Sequence, residues 1–124
     1  MNFEKFTQKA QQAVSESQQV AVQLGHQQLD GEHIHLALLL QEEGIVPKIL
    51  RLMGVDVQSL VRDIEGELER LPKVQAQGSG DSLYPTRRIG KLLGDAEKIA
   101  KGFHDDFISV EHLYLALIDE SGTP

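Results

Sequence analysis

One stretch, written twice, constrains this chain more than anything else in it. Glu32-His33-Ile34-His35-Leu36-Ala37-Leu38-Leu39-Leu40 returns seventy-nine residues later as Glu111-His112-Leu113-Tyr114-Leu115-Ala116-Leu117-Ile118. Sliding residues 7–41 onto 86–120 at that offset needs no gap. Seven of the 35 positions are identical: Thr7/Thr86, Ala21/Ala100, Glu32/Glu111, His33/His112, Leu36/Leu115, Ala37/Ala116 and Leu38/Leu117. Chance pairing at ordinary residue frequencies gives roughly two. Two copies of one helical unit are therefore the frame for the fold.

Within each copy the apolar spacing is helical. After Thr7, Ala10, Ala13, Val14, Val20, Ala21 and Leu24 fall on one face; after Thr86, so do Ile89, Leu92, Leu93, Ala96, Ile99, Ala100 and Phe103. Thr7 and Thr86 are the expected N-caps, and Gly25 the expected stop of the first helix. Asp30 and Ser109 cap a second, nearly all-apolar helix in each copy, which such a composition buries on most sides. Pro47 suits the first turn of a third helix ending at Gly54. Asp56 caps a fourth, along which Val57, Leu60, Val61, Ile64, Leu68 and Leu71 line up before Pro72. The predicted class is all-α: two pseudo-symmetric repeats of a four-helix unit. Repeat one takes residues 1–72, a linker 73–84, and a partial repeat two 85–124. Gly122-Thr123-Pro124 falls where Glu43-Gly44-Ile45 falls in the first copy, so the second unit is expected to be incomplete within these 124 residues.

Several function classes are disfavoured. A net charge of −7 opposes sequence-independent nucleic-acid binding and attachment to anionic membranes. No run of 18 apolar residues and no signal-peptide pattern occurs, and with no cysteine there are no disulfides or thiolate metal sites. A cytoplasmic location is the expectation. No metal site is expected from the five histidines: His33 and His35 point to nearly opposite sides of a helix, and no His-x-x-x-His pair occurs. No catalytic nucleophile and no Gly-x-x-x-x-Gly-Lys-Ser/Thr phosphate loop is found.

A duplicated unit that opens with Phe6-Thr7-Gln8-Lys9-Ala10 and carries Glu-His-x-x-Leu-Ala-Leu twice resembles the N-terminal domain of the Clp ATPases, ring-forming protein unfoldases and disaggregases. The resemblance covers essentially the whole chain. Leu71-Pro72-Lys73-Val74 and Asp106-Phe107-Ile108-Ser109 look most like the ClpB disaggregase branch. The resemblance implies a mobile, non-enzymatic accessory domain of a stress-response chaperone. It would engage exposed apolar segments of unfolded or aggregated proteins, or adaptor proteins, and deliver them to a hexameric AAA+ ring. The domain itself would hold no cofactor; ATP and Mg would be bound in the parent ATPase. Two alternatives stand beside this. One is a ClpC- or ClpA-type N domain that binds an adaptor or phosphoarginine; the other is a free-standing helical scaffold.

The expected substrate- or adaptor-binding residues are Thr7, Glu32, Leu83, Tyr84, Thr86, Asp105 and Glu111. The Thr and Glu positions also have plain structural explanations, as N-caps and as first-turn acids that favour the helix dipole. The resemblance adds a recognition role, with Thr7 grouped with Glu32 and Thr86 with Glu111. Asp105 lies in a turn where a solvated carboxylate is the simpler account. Phe3, Phe6, Leu83, Tyr84 and Phe107 fall outside the helical stripes, where they either seal the ends of the units or line a shallow apolar groove. His33 and His112, third in their helices, are expected to close the caps.

Overall fold

The computed structural model describes residues 4–71 and 84–119, and six helices occur among them. They are α1 (Gln8–Gln23), α2 (Gly31–Leu40), α3 (Ile45–Leu52), α4 (Val57–Glu69), α5 (Arg87–Gly102) and α6 (Val110–Asp119). The all-α class and the repeat stand. Most of the expected linker, together with Phe3 and Leu83, lies outside the described residues.

Local chemistry sets the helix ends. Thr7 Oγ1 accepts the Ala10 N–H at 3.1 Å, Thr86 Oγ1 the Ile89 N–H at 3.4 Å, and Asp56 Oδ1 the Ser59 N–H at 3.2 Å. Such a cap contributes about 1 kcal/mol. At the other end α1 and α5 close with the same pair of backbone bonds. Gly25 N–H reaches Val22 O and His26 N–H reaches Ala21 O; His104 N–H reaches Lys101 O and Asp105 N–H reaches Ala100 O. This closure needs a residue in the left-handed region. Gly25 fills it at φ 76° in the first copy, and His104 at φ 61° in the second.

The two copies are stitched together by very short parallel pairings that the helical periodicity does not announce. β1 (Gln28–Leu29) pairs with β2 (Tyr84–Pro85), setting Gln28 opposite Tyr84 and Leu29 opposite Pro85. A single bridge sets Phe6 opposite Ile108. Adding 79 to Leu29 gives Ile108, and subtracting 79 from Pro85 gives Phe6, so the second contact is the first with the copies exchanged. The hydrogen bonds repeat the exchange: Thr86 N–H donates to Leu29 O at 3.0 Å, and Thr7 N–H to Ile108 O at 2.9 Å. The units are related by a pseudo-two-fold axis. His35 and Tyr114, equivalent in the two copies, meet on it with Nε2 and Oη 2.9 Å apart. Their rings cross edge to face at a centroid distance of 5.1 Å.

Around this axis α1 packs on α2 and α5 on α6, α4 covers α2, and α3 lies against both α2 and α6. No described helix does for α6 what α4 does for α2. Leu36 and Leu39 of α2 are each 4% exposed, whereas their equivalents Leu115 and Ile118 are 39% and 58% exposed. Covering one leucine-sized side chain stabilises by about 1.5–3 kcal/mol. Identical residues in the two copies therefore carry unequal weight. Leu36→Ala should cost about 2–5 kcal/mol in urea unfolding, while Leu115→Ala should cost under about 1 kcal/mol. In a chain extended by about 25–30 residues, the length of two further helices with their turn, the second cost should rise toward the first and overall stability should increase. Equal costs in the 124-residue chain would refute the asymmetry.

Candidate functional site

The expected recognition residues that the structure describes gather at or beneath the two seams, in an arrangement that corrects the sequence expectation. Thr7 does not group with Glu32, nor Thr86 with Glu111. The pseudo-two-fold exchange places Thr86 beside Asp30 and Glu32, and Thr7 beside Ser109, Val110 and Glu111. A repeat identifies equivalent residues, but not whether a site is completed within a unit or across two. Here both are completed across.

At the first seam Thr86 Oγ1 donates to Asp30 Oδ1 at 3.1 Å. The Arg88 guanidinium lies between two carboxylates, with Nη1 3.4 Å from Asp30 Oδ2 and Nη2 3.4 Å from Glu32 Oε1. The Glu32 side chain is only 12% exposed. Burial pushes its carboxyl above the ordinary range and the neighbouring Asp30 adds to this, while Arg88 pulls it back. This seam already holds a guanidinium of its own. The sequence carried a signal for it, since a cation follows each Thr cap by two residues, Lys9 and Arg88.

The second seam differs. Ser109 replaces Asp30, and the Lys9 ammonium donates to the Glu42 carbonyl at 3.3 Å instead of bridging acids. Beside Thr7 a cleft of about 480 Å³ opens, lined also by Glu43, Gly44, Ile45, Ser109 and Glu111. Glu111 makes no ion pair among the described residues. Each seam also presents one exposed aromatic ring. Tyr84 on β2 is 59% exposed, and Phe107, next to the Phe6–Ile108 bridge, is 56% exposed. Phe6 itself is buried, as an end seal. Tyr84 and Phe107 thus stand on different seams.

Beneath each seam a histidine closes the central helix. His33 Nδ1 accepts the Asp30 N–H at 2.9 Å, so its other nitrogen carries the proton and donates to His26 Nδ1 at 2.8 Å. In the second copy His112 Nδ1 accepts the Ser109 N–H at 2.9 Å, and Nε2 donates to Asp105 Oδ2 at 2.8 Å. Asp105 occupies the position of His26. It is therefore not merely a solvated turn carboxylate, because it holds the ring of a buried histidine. Burial lowers His33 to about 4, with His26 adding to the effect, and burial alone lowers His35 to about 4.

Residues 5–124 match the family model described as the Clp repeat (R) N-terminal domain. This chain is a Clp N-terminal domain. The chaperone protein ClpB of Clostridium perfringens is 45% identical to it over 122 residues, covering 96% of this chain and 14% of the relative. This Clp N domain thus spans about a seventh of that relative's length. Among solved structures, the Hsp104 N-terminal domain of Candida albicans superimposes with a TM-score of 0.85 at 21% identity, covering 97% of this chain and 77% of that one. The N-terminal domain (1–163) of the ClpV1 ATPase of E. coli also gives 0.85, at 20% identity, covering 98% and 72%. Both likenesses speak for the fold. No helix among the described residues of this Clp N domain is long and apolar enough to cross a membrane.

Two predictions follow from the histidines. His33 and His35 bind protons more readily unfolded, at 6.5, than folded, at about 4. Their contribution is intact above pH 6.5 and is lost as pH falls toward 4, with a slope of up to about 1.4 kcal/mol per pH unit for each ring. Glu32, raised in the fold, opposes this just above 4.5. Urea unfolding at pH 7.5, 6 and 5 should show the fall, and His35→Gln, which leaves His33 in place, should roughly halve it. Asp105→Ala should cost about 1–3 kcal/mol by stranding the buried His112 N–H, and Asp105→Asn, which keeps an acceptor, should cost less. Equal melting of all three proteins would show that the bond contributes nothing.

Proposed function

We propose that this domain is the substrate- or adaptor-engaging N-terminal part of a ClpB-type disaggregase, presenting a surface to exposed apolar segments of unfolded or aggregated polypeptides. The observation that carries this reading is the 45% identity to a ClpB chaperone over nearly the whole chain. The exposed rings of Tyr84 and Phe107 on the inter-unit seams fit it, since half-exposed aromatic residues are natural anchors for extended apolar peptides. ATP and Mg chemistry, and the hexameric ring that uses it, belong to the remainder of the parent polypeptide. This chain carries no phosphate-cradling loop.

The ClpC-type alternative asks the Thr and Glu positions to bind phosphoarginine. At the first seam Arg88 occupies the space between Asp30 and Glu32 that an incoming guanidinium would need. The second seam has Lys9 nearby and Ser109 in place of Asp30, and its second acid, Glu43, comes from the loop after α2. The ClpB-type reading is therefore preferred.

Titration of isotope-labelled protein with an extended apolar peptide and with free phosphoarginine, at low and high salt, separates the two. The apolar peptide should bind weakly, tolerate salt because apolar contact is not screened, and lose affinity in Tyr84→Ser. Tight, salt-sensitive phosphoarginine binding at Thr7 and Glu111 or at Thr86 and Glu32, with no response to the peptide, would overturn the proposal.

A further inference from the structure

A further cleft in the first unit adjoins the second seam, sharing Gln41, Glu43 and Gly44 with the cleft beside Thr7, and extends away from it. It is about 910 Å³, within the range of ligand- and peptide-binding clefts, and runs between α3 and α4 from the end of α2. Its existence follows from how α3 packs. This helix lies against α2 and α6 and barely touches α4. Only Val46 and Pro47 of α3 are buried. Apolar groups from three elements form the cleft walls: Leu39, Pro47 and Val57 are buried, Val61 is half-buried, and Leu40 at the end of α2 is 53% exposed.

Charge makes this cleft distinctive. Lys48 and Arg51 on α3 and Arg62 on α4 line it, and none of the three forms an ion pair among the described residues. Elsewhere Arg70, Arg88, Lys91 and Lys101 each engage a carboxylate, and the other described cations without an ion pair, Lys5, Lys9, Arg87 and Lys98, do not line this cleft. In a chain of net charge −7, three unneutralised cations converging on one partly apolar cleft form a local positive field against a negative background. Glu42 and Glu43 stand at the α2 end of the same cleft, so its field has a direction.

We propose that the α3–α4 cleft, apart from the first seam and bordering the second, is a further docking site for a short acidic amphipathic helix of a partner protein. Carboxylates one turn apart on the partner match Lys48 and Arg51, which are three residues apart on α3, and a further carboxylate reaches Arg62. An apolar side chain between them rests on Leu40 and Val61. Glu42 and Glu43 repel acids at one end and fix the direction of the helix, as complementary charge sets register in other interfaces. The net charge of −7 disfavours nucleic acid as the occupant.

The test uses two peptides, a helical Ala/Leu peptide with glutamates at i, i+3 and i+7 and the same peptide with lysines there, titrated into the isotope-labelled chain. The acidic peptide should perturb amides of α3 and α4 and leave Tyr84 and Phe107 unmoved. Raising salt from about 20 mM to about 300 mM should weaken it at least about fivefold, through screening of exposed charges. The triple charge reversal Lys48→Glu, Arg51→Glu, Arg62→Glu should abolish that binding and favour the lysine peptide. If the triple variant loses helicity by circular dichroism, Arg62→Gln alone should weaken the acidic peptide about two- to fivefold, the range of one exposed ion pair. Four outcomes overturn the proposal: equal binding of the two peptides, perturbations confined to the seams, unaltered affinity in a folded variant, or tighter binding of an RNA oligonucleotide at the cleft. The apolar-peptide titration read at Tyr84, on the first seam, is independent, so either reading fails without the other.

Discussion

The fold depends on an exchange of backbone hydrogen bonds between its two units. The N–H of each Thr cap is spent on the other unit, Thr86 on Leu29 and Thr7 on Ile108. An N-terminal helical N–H has no partner within its own helix, and neither does the amide just before it. Using that spare donor to join units costs the helix nothing. It also fixes geometry, because a parallel pairing of two residues holds helix starts side by side and pointing the same way. α2 and α5 start together at one seam, and α1 and α6 at the other. Everything that gathers at the seams follows from this.

Much of this was legible in the sequence. The 79-residue offset, the Thr and Asp caps, the glycine stops and the buried central helices all reflect local chemistry that a residue and its neighbours up to four positions away can carry. The histidines at the third helical position were legible for the same reason. The parallel pairings were not, because two residues are too few to show alternation, and their hydrogen bonds connect segments more than fifty residues apart. The grouping of site residues failed for a related reason. Thr7 and Glu32 are close in sequence order, but the exchange sends each to the other unit's counterpart. Arg88 was visible only as a cation near a cap, and nothing local reveals that it spans Asp30 and Glu32.

The two seams show how duplication is turned into difference. Their backbones are alike, but one carries Asp30 and Glu32 with an internal guanidinium, and the other has a serine in place of Asp30 and an open cleft. Beneath them, one helix-closing histidine leans on another histidine and the other on a carboxylate. The swap of His26 for Asp105 preserves a hydrogen bond while changing the charge of the acceptor, so the scaffold keeps its shape as the surface chemistry diverges. The same economy appears at the helix ends, where His104 adopts a backbone conformation that Gly25 takes more cheaply.

His35 and Tyr114 carry this logic to the axis. In two identical units the residue at that place would face its own copy, and a buried hydrogen bond there would need one copy to give a proton and the other to accept it. A histidine facing a phenol settles the matter by making the halves unlike. The cost is lost independence. Elsewhere a substitution in one copy can be tolerated while its twin is unchanged, but at this place the twin is the neighbour. In an alignment of relatives these two columns should drift as a couple, each change in one drawing a matching change in the other. Their joint variation would mark where the axis runs in members of the family whose structures are unknown.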